Sequence, residues 1–132
     1  MKNRAQVIIP ENHPNPPDKY ERHAAKILAK YFNAVVEFII PVNFYKQTTV
    51  DVLINGQFWE IKTPDGNSRN TIHKQFRRAS KQKAEFMVIN LEQTDLDLGF
   101  VKKEIKLEMQ SHHRIRKVLL IAKDKTIFAF EK

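Results

Sequence analysis

The chain contains no cysteine. Disulfides and thiolate metal sites are therefore excluded. No apolar run reaches the length of a membrane span. The opening stretch "MKNRAQVIIPENHPNPP" has a basic start but no apolar core, so it does not read as a secretion signal. Acidic residues are in short supply: 15 Asp and Glu stand against 23 Lys and Arg, a net charge of +8. An excess of that sign favours polyanionic partners. There is no internal repeat, and the aromatics do not form a stacking platform for bases: Trp59, Phe76 and Phe86 read as core. What remains is a chain of 132 residues, 42% apolar, the right size for one domain with a real core and suited to the cytoplasm, with no membrane partner.

Four of the six prolines fall in residues 1–17, which read as an extended N-terminal arm. The single domain is expected over 18–132. Its first helix begins after Asp18, with Glu21 completing a capping box. Tyr20, Ala24, Ile27, Leu28 and Tyr31 make its apolar face. "AVVEFII" is a strand ended by Pro41, and "TTVDVLI" and "QFWEIK" are two more. Ser68 is expected to cap a helix over 69–84 with Ile72, Phe76 and Ala79 inward. "FMVINL" is a buried strand, and a helix follows from Leu98 to Gln110. "KVLLIAK" and "TIFAFEK" form a hairpin around Asp124. The order is αβββαβ followed by αββ. The fold class is α/β (α+β), a central mixed β-sheet flanked by helices.

The stretch "VDVLINGQFWEIK" breaks a local rule. Asn55-Gly56 is a strong two-residue hairpin signal and sets the register. Leu53 then faces Phe58, Val52 faces Trp59 and Asp51 faces Glu60. Lys62 shares their face, while Val50, Val52 and Ile54 point to the other. Two acids opposed at roughly 4.5–5.5 Å between Cβ atoms destabilise a sheet unless something compensates. A divalent metal does so: Mg²⁺ is held by one or two carboxylates, waters and phosphates. It also makes hydroxide from water and polarises a phosphate oxygen. The other reading is a wet face on which Lys62 neutralises the acids.

The pattern D-x8-E-x-K on adjacent strands, after a helix carrying Glu21 and before a basic helix, resembles the PD-(D/E)xK nuclease superfamily over residues 18–91. Val50 stands where that motif has its proline. The stretch 50–91, with its basic helix ending in a Lys-Gln pair, also resembles the C-terminal tRNase domains of contact-dependent growth inhibition (CdiA-type) toxins. The resemblance implies that Asp51, Glu60 and Glu21 hold a divalent metal, Mg²⁺ foremost with Mn²⁺ or Zn²⁺ as alternatives. It makes Lys62 the catalytic lysine. It further implies RNA, and tRNA in particular, as the substrate over DNA, and an immunity protein as a partner.

Arg69, Lys74, Arg77, Arg78 and Lys81 are the candidate nucleic-acid contacts, on a helix free of acids until Glu85. Its start is expected beside the metal, because the turn before it is short. A rival reading is a metal-independent RNase of the barnase, EndoU, colicin or RelE kind. "SHHRIRK" would supply an acid, a base and a cation through His112 or His113 with Arg114 or Arg116, in the stretch ending at Lys117. A third is a binding module without catalysis. His23 and His73 read as helix-surface residues.

Overall fold

The computed structural model describes residues 2–40 and 51–132. Pro41, Val50 and the expected strand positions 48–49 lie outside the described residues. The described elements run β1 (Gln6–Ile8), α1 (Lys19–Phe32), β2 (Val35–Phe38), β3 (Val52–Ile54), β4 (Gln57–Lys62), α2 (Thr71–Lys81), β5 (Phe86–Asn90), α3 (Leu98–Ser111), β6 (Lys117–Ile121) and β7 (Ile127–Glu131). The expected αβββαβ-αββ order is present, with β1 added in front. Part of the extended arm is thus a strand, paired in parallel with β2.

The seven strands lie side by side in sequence order. β4, β5 and β6 run parallel, while the pairs β2–β3, β3–β4 and β6–β7 are antiparallel. Both faces of the sheet are covered, and alternation along the strands shows how. Val88, Leu119 and Ile121 join α1 in one core; Met87, Ile89, Val118 and Leu120 join α2 and α3 in the other. A strand buried on both faces reads as a continuous apolar run, as "FMVIN" and "KVLLI" do.

α1 starts where the sequence says it should. The Asp18 carboxylate accepts from the Glu21 N–H at 2.8 Å, and Glu21 Oε1 accepts from the Asp18 N–H at 3.0 Å. The helix ends at Asn33 in the left-handed conformation, φ 47°. Asp18→Ala should cost about 1 kcal/mol of stability by urea denaturation, because the Glu21 N–H loses its acceptor. The apolar face differs from expectation in one place. Tyr31 is 50% exposed, and its neighbour Phe32 turns inward to lie 5.8 Å from the Trp59 ring.

α2 starts two residues later than expected. Asn70 occupies the cap position without a side-chain bond, and Ser68 does not cap the helix. Instead the Ser68 N–H donates to Thr71 Oγ1 at 3.1 Å, closing a turn before the helix begins. Arg69 therefore sits in that turn and not on the helix. The β6–β7 connection is longer than expected, with the strands stopping at Ile121 and resuming at Ile127, and within it the Thr126 N–H is held by Asp124 Oδ1 at 3.0 Å.

Candidate functional site

The β3–β4 turn takes positive φ at both central residues, 50° at Asn55 and 79° at Gly56. Ile54 pairs with Gln57, Leu53 with Phe58 and Val52 with Trp59, as the two-residue turn requires. The ladder then departs from the expected Asp51–Glu60 pair. The Asp51 N–H donates at 3.1 Å to the Trp59 carbonyl, the group opposite Val52. Two consecutive residues thus oppose one, which is a β-bulge, a device that re-aims a side chain. The Asp51 carboxylate turns onto β4 and accepts from the Ile61 N–H at 2.9 Å. A side chain has taken a ladder donor.

Glu60 and Lys62 point to the face covered by α2, next to Met87 and Ile89 of β5. Phe58, on the same face, is 50% exposed, whereas Glu60 is 2% exposed. The wet-face reading thus fails at the residue that matters. Lys62 Nζ lies 3.3 Å from Glu60 Oε1 and donates to Gln82 Oε1 at 2.7 Å. Glu60 Oε2 is buried and meets no donor. Burial, then the negative charge of Asp51, push the Glu60 carboxyl up to about 8. Burial also raises Asp51, against the pull of the Ile61 N–H. A proton on Glu60 makes it a donor to Asp51, so the two carboxyls share one negative charge.

Glu21 comes from the first turn of α1 and feels both Asp51 and Lys62. Burial is the chief cause that raises its carboxyl. Its Oε1 is committed to the cap, and no described hydrogen bond uses Oε2. Glu60 Oε2, orphaned and buried, and Asp51 beside it are oxygen donors of the kind a hard divalent cation takes, while Glu21 is near enough to feel the Asp51 charge but does not close a three-ligand cluster with them.

Two residues that sequence reasoning missed belong to this cluster. Gln82, the residue after α2, bonds Lys62. The only signal for it was the Lys-Gln pair at the helix end. His13, in the arm, lies near enough to Asp51 for its ring to bear on that carboxyl. It is held between the Ile39 carbonyl and the Asn15 N–H. No sequence pattern pointed to it.

The described contact between α2 and the cluster is at the helix's end, not at its expected start. Lys74, Arg77, Arg78 and Lys81 are exposed on α2, with Arg69 exposed just before it, and none makes an ion pair among the described residues. The rival histidine set is arranged differently. His112 ends α3 with its ring tied to Ser80 and Glu108, while His113, Arg114 and Arg116 are exposed. His23 and His73 are on helix surfaces, each paired with an acid, Glu92 and Glu108 respectively. Among the described residues no helix is long and apolar enough to cross a membrane.

A chain in the solved CdiA-CT/CdiI toxin and immunity complex from Burkholderia pseudomallei is similar in fold, with a TM-score of 0.67. The two are 22% identical, and the match covers 96% of this chain and 99% of that one. No curated protein matches the chain. Residues 48–127 match a family of toxin-system domains. That span is more than half the chain and holds Asp51, Glu60, Lys62 and Gln82, though not Glu21. The chain belongs to the contact-dependent growth inhibition CdiA C-terminal domain family.

Proposed function

We propose that this domain, residues 18–132, is a toxin acting as a metal-dependent endonuclease of the PD-(D/E)xK kind, with tRNA as its preferred substrate. The observation that carries the reading is a pair of buried carboxyls, Glu60 and Asp51, held side by side, with no donor from the protein reaching Glu60 Oε2. A structural carboxylate does not need that arrangement, and a cation does. Asp51 and Glu60 would hold the ion, Glu21 would join them, and Mg²⁺ suits such an oxygen-only set. When bound, it supplies a polarised phosphate oxygen and an acidified water. Lys62, held by Gln82 and Glu60, carries a fixed positive charge next to the reacting phosphate. It steadies the negative charge that develops there.

The preference for tRNA rests on the family, since phosphate contacts do not read sequence. The family neighbour was solved with an immunity protein, and this chain is proposed to take one as well. Its site of action is then the cytoplasm, where tRNA is found. Two basic surfaces suit a polyanion. One is the outer side of α2. The other is a groove of about 820 Å³ between α1 and the β6–β7 hairpin, where Lys26, Lys30, Lys123 and Lys125 stand around Tyr31. It begins at His23, two residues from Glu21.

The deciding experiment incubates the protein with tRNA, other RNA and DNA, each with Mg²⁺, Mn²⁺ or chelator. Cleavage of tRNA that stops with chelator is the expected result. Cleavage indifferent to chelator transfers the chemistry to the His112 region. Binding without cleavage makes the chain a binding module.

A further expectation concerns α2. Arg77→Ala with Arg78→Ala should weaken binding to all sequences and flatten the slope of log K against log[salt] by about 1.4–1.8, from two phosphate contacts at 0.7–0.9 each. Filter binding across a salt series measures it. An unchanged slope assigns the charge of α2 to solvent.

A further inference from the structure

Away from the hairpin, α2 and α3 bring two histidines and a glutamate together. His73 Nδ1 lies 2.8 Å from Glu108 Oε1, and His112 Nε2 lies 3.3 Å from the same oxygen. The three donor atoms fall within 4.8 Å of one another. We propose that His73, Glu108 and His112 form a zinc site that pins α2 to α3.

The donor set is one that zinc favours: two imidazoles and a carboxylate, leaving a fourth position for water. Bonds to zinc near 2.0–2.2 Å at tetrahedral angles place neighbouring donor atoms roughly 3.3 Å apart. The His112–Glu108 spacing already has that value. The His73–Glu108 spacing must open by about half an ångström, and the His73 side chain, 46% exposed, is free to move. Glu108 and His112 are four residues apart on α3, so both project from one face.

Ser80 supplies the second argument. Its hydroxyl lies 2.6 Å from His112 Nδ1. A metal-binding imidazole gives its other ring nitrogen to a partner that fixes tautomer and orientation. With no metal, each histidine donates to Glu108, and the Ser80 hydroxyl donates to His112 Nδ1. On zinc binding the protons shift within each ring. His73 carries its proton on Nε2, facing solvent, and His112 carries its proton on Nδ1 and donates to Ser80 Oγ. The rings of His112 and Phe76, 5.7 Å apart, keep the inner side apolar.

The site has a mechanical consequence. Ser80 and Gln82 are two residues apart at the end of α2, and Gln82 holds Lys62. An ion bridging α2 to α3 stiffens the segment that places that lysine.

The test titrates zinc into the metal-free full chain by calorimetry, beside a His73→Gln variant. The expected result is loss of one micromolar equivalent in the variant and loss of the zinc-dependent rise in melting temperature. The measurement is repeated in Asp51→Asn/Glu60→Gln, which lacks the hairpin carboxylates. There one equivalent should remain, and Co²⁺ in its place should show the intense visible absorption of tetrahedral coordination. His73 is exposed, so its loss spares the fold, whereas His112→Ala removes a packed ring. The proposal is overturned if zinc binds with equal stoichiometry and affinity with and without His73, or does not bind the metal-free chain.

Discussion

Glu60→Gln should abolish cleavage and at the same time stabilise the metal-free protein. Both effects come from the same oxygen. The loss of activity should reach at least about 10²-fold, since a ligand charge at the reacting centre goes. The gain in stability arises because Glu60 must hold a proton at neutral pH to stay buried next to Asp51. Gln needs none. At pH 7 the difference is worth up to about 3 kcal/mol, given a carboxyl raised from 4.5 to about 8. Lys62→Ala should cost a similar factor in rate but should not stabilise, because it leaves Glu60 Oε1 without its cation. Asp51→Asn should lose activity too, with a smaller gain in stability, since it removes the neighbouring charge but leaves Glu60 a buried carboxyl. Single-turnover cleavage and thermal melts in chelator measure the two properties separately. Retained activity in all three variants would falsify the hairpin as the reacting centre.

The metal-free protein should lose stability as pH rises from about 4.5 to about 8. The folded state holds the Glu60 proton through that window and the unfolded state does not. A group raised on folding contributes stability in full below its unfolded value and loses it as pH passes its folded value. Asp51 and Glu21 are raised as well, so their contributions carry the same sign. The total across the window is on the order of a few kcal/mol. Melting temperature against pH in chelator reads it directly. Glu60→Gln should flatten most of the slope. Saturating Mg²⁺ should reverse it, because the ion competes with the proton and binds better as pH rises. A metal-free protein whose stability climbs across this range contradicts the raised carboxyls.

Sequence reasoning reached the elements and the face of the site because both depend on local signals. Asn55-Gly56 dictates the turn, and a two-residue turn dictates which side chains face each other as far as Val52 and Trp59. Asp18 and Glu21 define the start of α1 within one helical turn. The bulge at Asp51 escaped because it depends on a contest that alternation does not record. The Asp51 carboxylate takes the Ile61 N–H, and the Asp51 N–H turns to the Trp59 carbonyl. β1 escaped because "QVI" is too short to show a period; it is a strand because β2 offers it an edge. Ser68 was expected as the cap and Arg69 as the first helical residue, two residues early, because Thr71 uses its hydroxyl to close the preceding turn. Gln82 and His13 reach the cluster from distant segments, and only the folded chain brings them there.

The order of strands across the sheet bears on how the protein recovers from being unfolded. Each strand pairs with the one before it and the one after it in the chain, and the longest detour between partners is a single helix. The β3–β4 and β6–β7 hairpins close short loops, whereas the parallel pairs β1–β2, β4–β5 and β5–β6 each close a loop that spans a helix, against a larger loop entropy. Rates of folding rise as contacts become more local. The sheet can grow by zipping, with the β3–β4 hairpin as an early unit that already carries Asp51, Glu60 and Lys62. A chain drawn out as a thread would therefore rebuild the hairpin of the proposed site early, and the packing of α1 and α2 would add Glu21 and Gln82 last.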